Sequence, residues 1–458
     1  MTAVEPPLEG AAELPETPSH GERTRTMSVR GATFLGIGSM IGAGIFALLG
    51  EAGAIAGAAV WLSFLIGGVV AALLGYVCVK LGSRYPSSGG LITYLIEGFG
   101  KGRLVGVASW LGYIAAVVIV TSMVAVSFGS YATSLFVGEN AGSAWNHLFT
   151  SVLVVAMVAV NMVGTKVVAA AQSLIVTGVL IVFGLFIWVT IFDIDLGKLA
   201  FSDYPSFSKI IASVALTFFA FLGFNVITFA AGDLRDPPHD LPRAMYRALG
   251  ITTLVYVLIA LGVFGTLTVA QVVGYGETAI AEAARPALGD AGFTIMAIAA
   301  LLATAGATNA TLYASSNLTG MLAEQRLFPS LFGRGSRLGA KSGLLITAGL
   351  VLLIANLVDL SAIASVGSAV ALVIFLLVGI AGYRRRAETG SNVWIIGLAI
   401  GLTAVVLGFF AVDTWNNARQ TFTAIVALLV LAVILDLCTR AANRRSAAAP
   451  GLGAASGG

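Results

Sequence analysis

The chain has 458 residues, of which 58% are hydrophobic and only 10% charged, and its mean hydropathy is +0.96. Soluble domains carry about 25% charged residues, so this deficit excludes an ordinary soluble domain and indicates a membrane protein. The formal net charge of +3 is too small to indicate nucleic-acid binding. The two cysteines, Cys78 and Cys438, imply no disulfide framework.

Apolar runs divide the chain into predicted membrane spans, each of which needs about 20 apolar residues. We expect residues 1–28 and 441–458 to be disordered cytoplasmic tails, because both are rich in small and polar residues. Residues 29–440 then form the transmembrane domain. The twelve predicted spans are 31–56, 59–82, 104–137, 147–165, 168–192, 208–232, 246–271, 291–323, 342–358, 360–383, 393–412 and 420–438.

The distribution of basic residues predicts the orientation of these spans. All but four of the 25 Lys and Arg residues fall on one side when the spans alternate. The exceptions are Lys198, Lys209, Arg285 and Arg419. The positive-inside rule therefore predicts a multi-pass protein of the plasma (inner) membrane with both termini cytoplasmic.

The segment SRYPSSGGLITYLIEGFGKG (83–102) is moderately apolar but too short and too rich in Gly and Ser to cross a membrane. We expect an interfacial or re-entrant cytoplasmic helix there. An ordinary loop is the alternative, although loops of this length are uncommon in compact proteins.

The first span contains the stretch GIGSMIGAGIF (36–46), in which glycines crowd the middle of an apolar helix. Glycine costs about 1 kcal/mol in a helix interior, so the pattern needs an explanation. One explanation is close helix packing through Gly38 and Gly42, which are four residues apart. The sixth span, LTFFAFLGFNVITFAAGDL (216–234), has Gly223 and Asn225 near its middle. Paired interruptions in two halves of a chain indicate a transporter binding site, so we favour unwinding.

An unwound segment exposes backbone groups, which membranes tolerate only beside a cavity. A half-helix that begins after the break would offer amides to an anion, and one that ends before it would offer carbonyls to an ammonium group or cation. A zwitterion would satisfy both sets. The predicted amide donors are those of Ile41, Gly42, Ala43 and Gly44. The predicted carbonyl acceptors are those of Gly36, Ile37, Gly38, Ala220, Phe221 and Leu222.

Charged residues stand only near the ends of the predicted spans, as Glu51, Lys166 and Asp233 do. Intramembrane charge usually marks a proton relay, so this distribution argues against a buried-carboxylate pump and against a strongly charged substrate side chain. No nucleophile, acid–base pair or metal-ligand spacing stands out. We therefore expect no enzyme activity, no cofactor and no metal site.

Three motifs together resemble the amino acid–polyamine–organocation (APC) superfamily over roughly residues 28–440. They are GIGSMIGAGIF in the first span, FFAFLGFNVITFAAGDLRDPPHDLPRAM (218–245) and NATLYASSNLTGMLAEQRLFP (309–329). The likeness is to prokaryotic amino-acid permeases related to cationic amino acid transporters.

The resemblance implies an all-α integral membrane protein with twelve transmembrane helices in a five-plus-five inverted repeat. Residues 29–195 and 205–385 would be the two repeats, and residues 390–440 would hold the peripheral helices 11 and 12. Helices 1 and 6 would be discontinuous. The family's alternating access would operate around a site between helices 1, 3, 6 and 8.

Carried over by the resemblance, backbone and side chains of helix 1 would hold the substrate carboxylate at Ser39, Gly42, Ala43 and Gly44. The carbonyls of Ile37 and Phe221 would hold the amine. Phe221 and Phe224 would flank the side-chain pocket, one of them as a gate. The full predicted substrate-binding set is Ile37, Ser39, Met40, Ile41, Gly42, Ala43, Gly44, Thr121, Ala220, Phe221, Leu222, Phe224 and Asn225.

One departure from the family concerns coupling. Proton-coupled relatives place a lysine in helix 5, thirteen residues after the lysine of a G-x-K motif. In this chain that motif ends at Lys166, and the corresponding residue is Val179. Thr304 and Thr308 share a face of helix 8 and could line the pathway, or could merely bond to the preceding turn. The coupling or gating candidates are Lys166, Val179, Asp233, Thr304 and Thr308.

The sequence therefore predicts a secondary transporter for amino acids, with small or neutral side chains favoured. An amine or polyamine carrier is one alternative, and a non-cycling receptor or channel-like protein is another. The predicted partners are the small-molecule substrate, the lipid bilayer and a coupling proton or counter-substrate, with no nucleic acid. The sequence does not specify the oligomeric state.

Overall fold

The computed structural model describes residues 27–87, 89–138, 141–163, 165–333, 335 and 342–448. These residues form helices joined mostly by short connections. Ten of the described helices are long and apolar enough to cross a membrane. The chain is therefore an all-α membrane protein, as the sequence predicts.

The helices of the first part of the chain follow one another with few breaks. α1 begins after Ser28, whose hydroxyl accepts a hydrogen bond from the Gly31 amide and so caps the helix. The helices are α1 (Val29–Ala43), α2 (Ile45–Ala56), α3 (Val60–Arg84), α4 (Gly90–Phe99), α5 (Arg103–Tyr113), α6 (Val120–Phe136), α7 (Ser143–Val163) and α8 (Thr165–Thr190).

The second part of the chain begins with another interrupted helix. Its helices are α9 (Phe207–Ala220), α10 (Asn225–Phe229), α11 (Pro237–Thr266), α12 (Val269–Tyr275), α13 (Ala279–Glu282), α14 (Arg285–Glu324), α15 (Ser342–Leu357), α16 (Leu360–Arg384), α17 (Arg386–Thr389), α18 (Val393–Asn417) and α19 (Arg419–Ala448).

Two features account for the difference between the ten long helices and the twelve predicted spans. The stretch Ile45–Arg84 is almost continuous, because only a short 3₁₀ turn at Gly57–Ala59 separates α2 from α3. α15 has 16 residues and is shorter than a typical span. The count of twelve and the inverted repeat stay predictions.

Irregular elements also match or modify the sequence expectations. The helix predicted within residues 83–102 is confirmed as α4. The long third span consists of α5 and α6, joined by a π-helical turn at Ile114–Ile119. α14 is 40 residues long and bends at Gly289, whose φ of 62° is readily accessible to glycine.

The C-terminal boundary was predicted too early. α19 continues past residue 440 to Ala448, where a disordered tail was expected. The segment is rich in Ala and Arg, which favour helix, and Arg440 Nε lies 2.8 Å from Asp436 Oδ2 one turn back. The tail residues 1–26 and 449–458 lie outside the described part of the chain.

Burial separates the centre of the protein from its periphery. In the most apolar 18-residue stretch of Phe207–Asp233, 89% is buried inside the protein. In that of Arg419–Asn443, only 11% is buried. The interrupted helix α9–α10 therefore runs through the core. It packs there beside α1, α2, α3 and α16, while α19 lies at the outside.

Candidate substrate site at two helix breaks

The first helix is interrupted at a single residue. α1 stays helical to Ala43, and α2 begins at Ile45. Gly44 between them has φ −103° and ψ −76°, and its amide still donates to the Met40 carbonyl at 2.8 Å. The break is therefore a kink that redirects the helix.

This geometry contradicts the unwinding predicted for residues 36–44. The amides of Ile41, Gly42 and Ala43, and the carbonyl of Ile37, lie within the continuous helix α1. The glycines serve close packing instead, because a Cβ at Gly42 would overlap the Ala303 carbonyl on α14 and a Cβ at Gly36 would overlap Ile227 on α10. The small-residue packing alternative therefore explains them, and does so through Gly36 and Gly42.

The sixth helix is interrupted over a longer segment. α9 ends at Ala220, a 3₁₀ turn occupies Leu222–Phe224, and α10 begins at Asn225. The Phe224 amide donates to the Phe221 carbonyl at 3.0 Å, so the turn satisfies part of the freed backbone. The predicted discontinuity of this helix is thus present and spans about one turn.

The two breaks contact each other. A Cβ at Gly223 would overlap the backbone of Ser39 and Met40, so the 3₁₀ turn rests directly on α1. Glycine permits this approach, because any side chain would push the two backbones apart. The ends of α1 and α9 therefore lie side by side in the core.

Tyr256 of α11 bridges the two helix ends. Its fully buried hydroxyl lies 2.6 Å from the Met40 carbonyl oxygen and 3.3 Å from the Ala220 carbonyl oxygen, and faces the Ile45 amide. Its single proton is shared between the Met40 carbonyl, which also accepts the Gly44 amide, and the Ala220 carbonyl at the end of α9. Sequence reasoning missed Tyr256, because nothing distinguishes it from other tyrosines in apolar spans.

A cavity of about 20 Å³ lies beside the contact between the breaks. Its wall is apolar apart from three side chains, and one of these, Asn225, is buried with no hydrogen-bond partner for Oδ1 among the described residues. The lining residues are Ser39, Ala116, Val117, Val120, Leu222, Gly223, Asn225, Val226, Phe229, Thr311, Ala314 and Leu318. A second cavity of similar size shares Ala116, Leu222, Asn225, Phe229 and Leu318 and extends to α4 and α16.

The third span, formed by α5 and α6, contributes to the cavity through its π-helical turn. π turns are rare and frequently occur at functional sites. Ala116 and Val117 of this turn line the cavity. Thr121 Oγ1 donates to the Val117 carbonyl at 2.6 Å and lies 3.0 Å from Thr311 Oγ1. This contact joins α6 to α14.

The two phenylalanines predicted to flank the substrate lie elsewhere. The Phe221 ring packs against Tyr256 at 5.0 Å, and the Phe224 ring packs against Phe375 at 5.2 Å. Both are fully buried and neither lines the cavities. The 3₁₀ turn rotates them away, and the aromatic rings at the cavity walls are those of Phe229 and Phe375.

The coupling and gating candidates are dispersed. Val179 borders a small apolar cavity with Gly38 and Ile41 of α1 and Ala303 of α14, at the junction of helices 1, 5 and 8. Thr304 Oγ1 donates to the Ala300 carbonyl at 2.6 Å, whereas buried Thr308 Oγ1 has no partner among the described residues.

Asp233 lies at the end of the sixth-helix region, where its carbonyl accepts the Met27 amide at 3.0 Å. This contact and the parallel bridge between Met27 and Leu234 tie the start of α1 to the segment after α10. The side chains of Ala43 and Lys166 lie outside the described part of the structure. The roles of these candidates stay predictions.

The fold and the paired breaks define a multi-pass membrane protein with a small cavity in its core. Residues 27–435 match the amino acid permease family model. The chain therefore belongs to this family of membrane transporters, within the superfamily that the motifs resemble.

Similar proteins carry different transport functions. The chain is 32% identical to the inner membrane transport protein YbaT of Escherichia coli over 88% of its own length and 94% of that protein. It is 29% identical to the methylthioribose transporter of Bacillus subtilis, covering 68% of this chain and 69% of the relative. The serine/threonine exchanger SteT of Bacillus subtilis is 27% identical, with 65% and 68% covered.

Proposed function

We propose that the chain is a secondary transporter that moves small or neutral amino acids across the membrane by alternating access. The observation that supports this best is the contact between two interrupted helices beside one small, largely apolar cavity. Helix ends of opposite polarity meet there: the amide end of α2 and the carbonyl ends of α1 and α9.

In this proposal the substrate carboxylate binds the Ser39 hydroxyl and first-turn amides of α2, which belong to Phe46 and Ala47. The ammonium group binds the carbonyl end of α9 near Ala220. This arrangement replaces the donors predicted within α1. It still holds a zwitterion without any charged side chain.

The substrate side chain would face the cavity wall that Ala116, Leu222 and Asn225 form. A cavity of about 20 Å³ holds about one water molecule, so an amino acid requires the site to widen. Such widening is what a transporter that alternates between conformations provides. The name of SteT supports an amino-acid substrate, whereas the name of the methylthioribose transporter makes a sugar-derived thioether a necessary comparison ligand.

A thermal-stabilisation screen of the purified full chain in detergent tests the proposal. Ligands that bind the folded state raise the melting temperature by mass action. The ligands are the twenty amino acids, their decarboxylated amines, polyamines and methylthioribose, each with and without sodium. We expect stabilisation by a group of α-amino acids with small or neutral side chains, and none by the matching amines.

Two results would contradict parts of this proposal. Stabilisation by amines alone would overturn the carboxylate site and favour an amine carrier. Binding of amino acids without counterflow in proteoliposomes would instead favour a receptor that does not cycle.

A further inference from the structure

The connection between α11 and α14 forms a compact cap over the second half of helix 1. The cap comprises α12, the 3₁₀ turn Gly276–Thr278 and α13, and its inner side chains, such as Val272 and Ile280, are buried. A Cβ at Gly50 on α2 would lie 2.8 Å from the Gly276 carbonyl oxygen, so cap and helix touch through their backbones. The predicted orientation places the cap on the outer side.

Two acidic residues flank this contact, because Glu51 follows Gly50 on α2 and Glu277 follows Gly276 in the cap. Glu277 of the cap is partly exposed and lies beside Glu51 of α2 and Ser130 of α6. Burial raises the pKa of the Glu277 carboxyl, and the nearby Glu51 raises it further, against the opposing effects of its own backbone amide and the Ser130 hydroxyl. Protonation is therefore easier for Glu277 in the docked cap than in water.

The other charged groups around the cap are engaged with each other. Glu282 at the end of α13 pairs with Arg285, with 2.8 Å between Oε2 and Nε. Arg285 also contacts Asp290 and the ring of Phe293. Tyr131 of α6 faces both Glu277 and Glu282, and Tyr275 of α12 precedes the turn. Arg285 thus pairs with Glu282 and Asp290, while Glu277 lies beside Glu51.

We propose that Glu277, docked beside Glu51, forms a proton-sensitive latch that holds the cap on α2 when the Glu277 carboxyl is protonated. When the cap lifts, Glu277 faces the outer solution and releases its proton there. The inference rests on the proposed function only in that a transporter must open this side.

The sign of the pH effect follows from linkage. Because docking raises the pKa of the Glu277 carboxyl, a proton stabilises the docked cap. This stabilisation is fully present below the ordinary carboxyl pKa and is lost as the pH rises through the raised value. The docking equilibrium changes by a factor of about ten for each unit by which the pKa differs between the two states.

Cysteine accessibility in proteoliposomes measures the cap directly. The full chain would carry Cys78→Ser, Cys438→Ser and Ala281→Cys, because Ala281 belongs to α13 of the cap and is fully buried when the cap is docked. The labelling rate with a membrane-impermeant maleimide is divided by that of exposed Asp193→Cys in the same background, which removes the intrinsic pH dependence of the thiol. We expect this ratio to increase between pH 4.5 and 7.5, by a factor of about ten for each unit by which docking raises the pKa of the Glu277 carboxyl.

Three variants separate the latch from general effects. Glu277→Gln should make the ratio independent of pH, whereas Glu277→Asp should keep the dependence. Asp413→Asn removes a partly exposed carboxylate on α18, away from the cap, and should behave as the parent protein does. A flat profile in the parent, or an unchanged slope in Glu277→Gln, would overturn the latch.

The labelling experiment uses no substrate, so it is independent of the ligand screen. A flat profile together with stabilisation by amino acids would overturn the latch and leave the proposed function standing. A pH-dependent profile without stabilisation by amino acids would support the latch and contradict the proposed function.

Discussion

The two interrupted helices differ in how many glycines they contain and in how much of the helix is lost at the break. The first is rich in glycine and yet breaks at Gly44 alone, while the second has a single glycine in its interrupted segment and loses about a full turn at Phe221–Phe224. In both helices the glycines mark close approach: Gly42 faces α14, and Gly223 faces the backbone of α1. In these two helices, glycine content therefore indicates close packing. It does not indicate how many residues are unwound.

The two breaks also differ in what each helix contributes beside the cavity. The kink at Gly44 leaves α1 and α2 almost intact, and Ser39 of α1 lines the cavity. The turn in the sixth helix instead swings Leu222, Asn225 and Phe229 to the cavity walls. In the proposed site the first helix would therefore supply backbone polarity, and the sixth helix would supply the largest share of the cavity wall.

Gly223→Ala should have the largest effect on the contact between the breaks. Its Cβ would meet the backbone of Ser39 and Met40, which cannot rotate away as a side chain can. Overpacking of this kind costs about 1–3 kcal/mol, and a backbone clash belongs at the upper end. Thermal unfolding in detergent measures it, with Gly232→Ala as control, because nothing lies within 4 Å of a Cβ there. Equal stability of the two variants would mean that the breaks are not in contact.

Gly42→Ala should come next and tests whether the first helix is packed or unwound. The new Cβ would overlap the Ala303 carbonyl and the Ala307 methyl group, but alanine regains about 1 kcal/mol of helix propensity. We expect a smaller net loss of about 1–2 kcal/mol. Gly250→Ala on α11 has free space around it and should be neutral or stabilising. A variant that keeps full stability but no longer binds ligand would restore the unwound interpretation.

The spans themselves were predictable because hydropathy and charge act locally along the chain. The predicted limits 104–137 and 360–383 lie within a few residues of the observed helices, which end where basic or turn-forming residues replace the apolar run. The paired breaks were also foreseen, because glycine and asparagine are costly in the middle of such helices.

The position of the break was not predictable, because it depends on partners distant in sequence. Gly42 packs against Ala303 and Gly44 against Tyr256, and no local pattern distinguishes these neighbours. The rotation of Phe221 and Phe224 away from the cavity likewise depends on a 3₁₀ turn that is visible only in three dimensions. The sequence therefore located the two interrupted helices but not the atoms that their breaks expose, and the substrate site itself stays a prediction.

Tyr256→Phe should have a moderate effect and tests whether one hydroxyl joins the two breaks. It removes the bonds to the Met40 and Ala220 carbonyls and keeps the ring contacts with Phe64 and Phe221. The loss should be about 1 kcal/mol of unfolding free energy. Tyr204→Phe is the matched control, since its hydroxyl only accepts the Trp61 indole N–H at 2.8 Å.

The two tyrosine variants are to be compared in the ligand-stabilisation screen. Both should lose similar stability, but only Tyr256→Phe should weaken stabilisation by an amino acid, because it loosens the helix ends that bind the zwitterion. Equal ligand responses in the two variants would mean that the Tyr256 hydroxyl contributes to stability but not to ligand binding.

Asn225→Leu should have the smallest effect on stability and tests the role that the comparison gives to the sixth helix. Because Asn225 Oδ1 has no partner among the described residues, an apolar replacement of similar size removes no hydrogen bond there. The melting temperature should stay close to that of the parent, within about 0.5 kcal/mol. Stabilisation by amino acids should nevertheless fall, since the amide is a polar group in an otherwise apolar wall.

Asn161→Leu gives the opposite pattern and serves as the control for this variant. Asn161 Nδ2 donates to Asn309 Oδ1 at 2.7 Å and to the Met157 carbonyl at 2.8 Å, so its loss leaves a buried amide oxygen without that donor at a cost of about 1–3 kcal/mol. Ligand response should persist in it. If Asn225→Leu instead loses stability and keeps its ligand response, the asparagine braces the bundle, and the shape of the site must come from the apolar residues of the 3₁₀ turn alone.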